Sequence, residues 1–376
     1  MNQTVRTGDH KISILNCLRL HDDAGLRREM PCPPERRSEN YIARFDALTV
    51  FYDCFFDDRS SQVVIICPRL LNLWPSVRNG LMLDGRYAGR KIRRKKYLRV
   101  EVLRIAVSRR PERLELRIGD RQYSVPVGGH EWHAFAGRNC LMAISKNNEI
   151  GWIESWARYH ASAHNADAVI LFDNGSSIYA VRELLDALAA IPGIQACRVI
   201  SAPLPYGAKG AGRWAVPAQF FQTSMFTVAQ TRFLASARAV LSVDIDELVR
   251  PLRSGTVFDL AAKSALGLVS FYGTWVYPAR ASGHRPHTSH KYLIRDNTRA
   301  TKTKWCIVPK KTVGRMGWDV HRPGGIYYPF SINKKIGFWH FFGCTTNWNK
   351  NRSQARGERV VSPELTTALQ THLGAA

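Results

Sequence analysis

Between residues 140 and 249 the chain repeats one unit: a short apolar run, then a stretch whose apolar residues recur at helical spacing. "CLMAIS" (140–145), "DAVILF" (167–172), "IQACRVIS" (194–201) and "AVLSV" (239–243) are the apolar runs. After the first, Ile153, Trp156, Ala157 and His160 fall at i, i+3, i+4 and i+7. After the second, Val181, Leu184, Leu185 and Leu188 line one side of another helix, which "IPG" stops. A longer helix, roughly 217–235, is expected before the fourth run. Strands that alternate with helices need crossover connections, so the expected fold is α/β: a mainly parallel, Rossmann-like sheet with helices on both faces.

The flanks read differently. Residues 24–40 are Pro-rich and charged, as in a tether. From about 45 to 126 the runs are short, alternating and rich in β-branched and aromatic residues: "LTVFYDCFF", "SQVVIIC", "LRVEVLRIAV", "RLELRIG" and "QYSVPV". They predict a small antiparallel β-rich domain. The expected division is an extension over 1–40, a β-rich domain over 41–135, the α/β domain over 136–350 and a tail over 351–376. Within the β-rich part "RKIRRKKYLR" (90–99) reads as an edge strand that charge protects from stray pairing, or as a contact with an anionic membrane or polymer.

In an open parallel sheet, ligands bind beyond the carboxyl ends of the strands. Three polar loops leave that edge: "KNNE" (146–149), "DNGSS" (173–177) and "DIDEL" (244–248). In extended backbone the side chains of Asp244 and Asp246 would share a face, with Ile245 turned into the core. Two carboxylates so placed suit Mg²⁺ or Mn²⁺; the plainer alternative is a solvated strand end with Glu247 capping the next segment. Asp173 can accept hydrogen bonds from a nucleoside or cap its own turn. Lys146 and Asn148 can meet a nucleotide, or Asn147 can cap the next helix. No phosphate-binding glycine motif is present.

These loops, a Gln-bearing helix ("PAQFFQTSMF"), "TKWCIVPKKTVGRMGWDVHRP" and "GFWHF" together resemble the glycosyltransferase 92 (DUF23-type) family, which has a GT-A fold, over residues 140 to 350. The resemblance implies that Asp244 and Asp246 hold Mn²⁺ or Mg²⁺ bridging a nucleotide-diphosphate sugar, a UDP-sugar being favoured. It implies that Asp173 contacts the nucleoside, with Lys146, Asn148 and Glu149 nearby. His340 is the expected third metal ligand and His321 its competitor. An inverting transfer is implied, needing a base on the acceptor hydroxyl. Asp319 ranks first for that role and Asp296 second, with Glu247 also open. Lys304, Lys310, Lys311 and Arg322 are expected to offset diphosphate charge, and Trp275 and Tyr277 offer flat faces for a sugar ring. The acceptor would be a glycan or a lipid-linked oligosaccharide.

Composition sets the rivals. With 54 Lys+Arg against 30 Asp+Glu the net charge is +24, which favours anionic partners. A nucleic-acid- or polyanion-binding protein, or a metal-dependent nuclease, is the alternative. Nucleic acid is disfavoured because the basic residues are dispersed and no zinc-finger, RNP-like or helix-turn-helix signature is visible. Eight scattered cysteines, without a CxxC pair, suggest a reducing compartment. No signal peptide and no transmembrane run is apparent. A cytoplasmic protein is expected, with a peripheral contact to the inner membrane face left open.

Overall fold

The computed structural model describes residues 8–23, 25–208, 212–278, 285–295, 301–325, 329–344 and 357–374. Its central sheet has seven strands, in the order Asp9–Ile14, Ala196–Ser201, Ala168–Asp173, Asn139–Ser145, Ala239–Ser242, Lys304–Ile307 and Leu268–Phe271. The first five are parallel, Lys304–Ile307 runs antiparallel to them, and Leu268–Phe271 pairs antiparallel with Lys304–Ile307. All four apolar runs of the repeat are strands of this sheet.

Because strand side chains alternate between faces, each run feeds two cores. Leu141, Ala143, Val169, Leu171, Cys197 and Val199 meet the helices Ile150–His164 and Val181–Ala189 on one face. Cys140, Met142, Ala168, Ile170, Phe172, Ala196 and Ile200 meet the helix Phe220–Val228 on the other. Helices therefore cover both faces. This last helix is shorter than the expected 217–235, continuing as a five-residue π-helical turn, Ala229–Phe233.

The β-rich part contains two four-stranded sheets. One orders Asp53–Asp57, Gln62–Pro68, Val100–Ala106 and Arg93–Lys96 antiparallel, which makes the basic "RRKK" segment an edge strand. Its inner face does not close on itself. Phe55, Val64, Ile66, Val100 and Val102 share one core with Phe220, Phe221 and the central sheet.

The ends of the chain differ from the expected extension and tail. Asp9–Ile14 is the edge strand of the central sheet, in parallel register with Ala196–Ser201. Its alternating, charged "DHKISI" lacks the apolar run that marked the inner strands, because an edge strand buries little. Arg359–Val361 pairs with Tyr292–Ile294, and the helix Pro363–Leu373 buries Leu365, Ala368 and Leu369 in the same core as the helix Ile150–His164.

Ion pairs built on two buried arginines, Arg232 and Arg198, tie the N-terminal strand, the β-rich part and the α/β part together. Arg232 lies 3.0 Å from Asp53 and 3.1 Å from Glu131, Glu131 lies 3.0 Å from Arg198, and Arg198 lies 2.8 Å from Asp9.

Candidate functional site: an acid–histidine cluster at a strand end

The strand Ala239–Ser242 ends at the carboxyl edge and leads into the acidic triplet. The backbone then turns rather than staying extended: Glu247 N donates to Asp244 O at 3.0 Å, and Asp244 N donates to Glu247 Oε2 at 2.8 Å. The extended backbone assumed for Asp244 and Asp246 is therefore absent. Ile245 does go into the core, at 3% exposure.

After the turn, Glu247–Val249 is a strand of a five-stranded sheet that also holds Phe338–Phe341 and Gly273–Pro278. Its register sets Glu247 opposite His340, and His340 beside Trp275. His340 Nε2 lies 3.1 Å from Asp246 Oδ2, and its Nδ1 lies 3.7 Å from Glu247 Oε1. Asp246, Glu247 and His340 thus bring three ligand atoms within 4.8 Å of one another. The indole of Trp275 lies flat against the imidazole of His340, ring centroids 3.7 Å apart and planes 21° apart. One face of Trp275 is therefore taken by His340.

Asp244 belongs to a different group. Its Oδ2 is 2.6 Å from Lys304 Nζ, which also lies 2.9 Å from Glu247 Oε2. Lys304 is 2% exposed. Burial opposes its charge, yet Asp244 and Glu247 outweigh that and hold it firmly protonated. Lys304 is spent on these two acids rather than aimed at solvent. Burial pushes the Glu247 carboxyl up to about 7 against the pull of Lys304, with Asp244 adding to the rise. A divalent cation at Asp246, Glu247 and His340 would keep that carboxylate ionised. Two carboxylate oxygens and an imidazole nitrogen form a donor set that suits such an ion, and Glu247 Oε1 faces His340 while Oε2 takes Lys304.

The supports behind the triplet are histidines. Val249 N donates to His160 Nε2 at 3.2 Å, and His164 Nε2 donates to Val249 O at 3.1 Å. Both rings are buried, which pushes His160 down to about 3 and His164 down to about 4. His287 Nε2 donates to Ile245 O at 2.8 Å from the other side. The helical spacing pointed to His160, but nothing in its pattern showed that it grips Val249, 89 residues away. No motif singles out His287; "HRPHTSH" is dense in histidine, and that is its one signal.

The remaining candidates are spread along the edge. Asp173 is buried and turned into its own loop, accepting from Ser176 N at 3.0 Å and from the hydroxyls of Ser176 and Tyr179. Asn148 donates to Ser145 Oγ at 2.9 Å. Asn147 accepts from Ser177 N at 2.7 Å and so joins two loops rather than capping the helix. Lys146 and Glu149 flank these, half-buried. Lys311 donates to the carbonyls of Ala262 and Ser264, a structural bond. Asp296 lies outside the described residues.

A cleft of about 1170 Å³ opens between the β-rich part and the α/β part, lined among others by Tyr97, Arg99, Gln222, Lys302, Asp319 and His321. Asp246 and His340 are not in its lining; Thr303, which is, adjoins Lys304 in sequence. Asp319 accepts from Val320 N at 2.7 Å and lies 3.6 Å from Arg99. His321 Nδ1 donates to Thr303 O at 2.9 Å, and burial, with Lys304 nearby, pushes it down to about 4. The structure thus groups His340 with the acids and leaves His321 in the cleft. Lys302 was not among the sequence candidates, and Arg99 entered only as the end of the basic segment 90–99, because their place in the cleft depends on how the two parts pack.

No protein-family model matches the chain, and no curated protein does either. Among solved structures it is similar to the mannosyltransferase Ktr4p from S. cerevisiae, at 10% identity over 37% of this chain and 39% of that one, with a TM-score of 0.26. It is also similar to S. aureus TarS, at 15% identity over 39% of this chain and 23% of that one, TM-score 0.24. A third is the galactosyltransferase LgtC, at 16% identity over 48% and 60%, TM-score 0.27. The chain spans less than two thirds of the length of each.

Proposed function

We propose that this protein is a metal-dependent glycosyltransferase of GT-A type, moving a sugar from a nucleotide diphosphate, UDP being favoured, to a glycan or lipid-linked acceptor. The observation that carries the reading is the cluster of Asp246, Glu247 and His340 where a central parallel strand ends, with a cleft of about 1170 Å³ whose wall includes Thr303, next in sequence to Lys304. The glycosyltransferase 92 resemblance supports it through the order of its motifs alone.

On this reading Asp246, Glu247 and His340 hold Mn²⁺ or Mg²⁺, and Asp244 with Lys304 shapes the turn that presents them. When bound, the cation neutralises charge that develops on the diphosphate leaving group. Cationic side chains at the cleft, Lys302 and Arg322, add to that neutralisation. Asp173, Asn148, Lys146 and Glu149 form the nucleoside end of the site, Asp173 through the loop it organises. Asp319, in the cleft wall, takes the proton from the acceptor hydroxyl in an inverting transfer. The scattered thiols, none of them in a disulfide, suit the cytoplasm, and we place the protein there. No described helix is long and apolar enough to cross a membrane.

Thermal melting against UDP, GDP, CDP and ADP, each with and without Mn²⁺, tests the reading. We expect one diphosphate to stabilise the protein only with metal, and the Asp246→Ala variant to lose that response. A flat response to all four would overturn it.

A further inference from the structure

The edge strand Arg93–Lys96 leads towards the cleft, and its charges are not distributed as on an ordinary solvated strand. Arg94 turns to the side of the sheet where it is neutralised: its Nε is 2.6 Å from Glu101 Oε2, and its guanidinium lies over the Trp74 ring at 4.1 Å. Arg93 and Lys95 take the opposite face. In the register, Arg93 pairs with Arg104, and Lys95 with Val102. Their neighbours one strand further in, Val64 and Ile66, belong to the core shared with the helix Phe220–Val228. That face borders the cleft.

Two residues beyond Lys95 on the same face comes Tyr97, which lines the cleft, and Lys95 Nζ lies over its ring at 5.0 Å. Arg99 continues into the cleft wall, where its Nε is buried without a hydrogen-bond partner. Arg93 and Lys95 are exposed, and neither they nor Arg104 makes an ion pair among the described residues. Two arginines directly opposed across a strand pair are destabilising. Two unmatched cations on the strand, Arg93 and Lys95, about 7 Å apart by the rise of two strand residues, with Arg104 opposite Arg93, therefore lead to a cleft lined by Arg99, Lys302 and Arg322 and by one acid, Asp319, which lies 3.6 Å from Arg99.

We propose that the acceptor is an anionic glycan, a linear chain bearing carboxylate or phosphate groups, which lies along Arg93, Arg104 and Lys95 and delivers its end into the cleft. The proposal rests on the glycosyltransferase reading for the word acceptor, but the binding surface needs neither donor nor metal. A row two residues wide at Arg93 and Arg104 and one at Lys95, leading to a cleft, fits a single extended chain. A bilayer is planar and would need more apolar surface than Leu98, the exposed side chain at the hairpin tip.

The test is direct binding of polygalacturonate and of neutral dextran to the full chain, without nucleotide or metal. We expect polygalacturonate to bind and dextran not to, with affinity falling at least about tenfold between about 50 mM and about 200 mM salt. The double variant Arg93→Ala/Lys95→Ala should weaken binding about tenfold. Arg182→Ala/Lys263→Ala, which removes the same charge from exposed sites elsewhere, should change it less than about twofold. Asp246→Ala should bind polygalacturonate as the wild type does, which separates this proposal from the donor-site reading. Equal losses in the two double variants would overturn the proposal. So would equal binding of dextran, or tighter binding to duplex DNA or phosphatidylglycerol vesicles than to polygalacturonate.

Discussion

Lys304 Nζ lies 2.6 Å from Asp244 Oδ2, so the first acid of the triplet is matched by a buried cation from the neighbouring strand. The same ammonium holds Glu247 at 2.9 Å. Neutralisation by one lysine lets three carboxylates sit at one strand end, and it leaves Asp246 and one oxygen of Glu247 to His340.

Lys304→Met should therefore destabilise the protein by about 3–5 kcal/mol, since it strands a buried carboxylate. Equilibrium denaturant unfolding at pH 7 measures this. Adding Glu247→Gln should recover part of the loss, because the group left unpaired is then neutral. If the double variant is as unstable as the two losses added, the lysine is not acting through Glu247.

Acid should weaken the strand that carries Glu247. The folded state holds His160 and His164 well below their ordinary value of 6.5, at about 3 and about 4, chiefly through burial. Between pH 4 and 6.5 these two rings, with His287 and His321 also held at about 4, bind more protons in the unfolded chain, and the four outweigh the one proton that Glu247, held at about 7, gains on folding; stability therefore rises with pH and falls as pH drops below about 6.5. Unfolding free energies across this range, with proton uptake on unfolding as a second readout, check the sign. Stability that is flat or increases on acidification over the window would contradict it.

Trp275→Ala removes the ring that holds His340 in plane. A stacking contribution of about 1 kcal/mol implies roughly fivefold weaker Mn²⁺ binding, with Trp275→Phe keeping most of the affinity. Isothermal titration with Mn²⁺ alone reads this without any transfer reaction. Unchanged affinity in Trp275→Ala would leave the stack as packing only.

The β-rich and α/β parts should unfold together. They share one core around Phe55, Val64, Phe220 and Phe221, and Arg232 joins Asp53 to Glu131 across them. Arg232→Met should cost about 3–5 kcal/mol. Residues 136–376 expressed alone should lack a sharp near-ultraviolet signal. A cooperatively folded fragment would show the two parts to be independent.

Much of the α/β core was legible because a buried parallel strand is nearly all apolar: "CLMAIS", "DAVILF" and "IQACRVIS" each lie in the central sheet to within about two residues of its strand ends. Asp9–Ile14 was not legible. An edge strand buries one side only, so its residues carry no run to notice. The helix Pro363–Leu373 was missed for a similar reason: its few apolar positions gain meaning only once the helix Ile150–His164 is there to cover them.

At the site, local pattern placed acids at a strand end, and the glycosyltransferase 92 resemblance pointed to a late histidine followed by an aromatic. The i, i+2 argument for Asp244 and Asp246 assumed extended backbone, and the turn between Asp244 and Glu247 removed that assumption. Which carboxylate meets His340 and which meets Lys304 depends on the registers of Glu247–Val249 with Phe338–Phe341 and of Ala239–Ser242 with Lys304–Ile307. Burial period and residue chemistry are local properties, so the chain alone specified the buried strands, the helices between them and the kinds of group at the edge. Partners some 60 to 100 residues apart in sequence meet only through packing, and tertiary structure alone decided which acid faces the histidine.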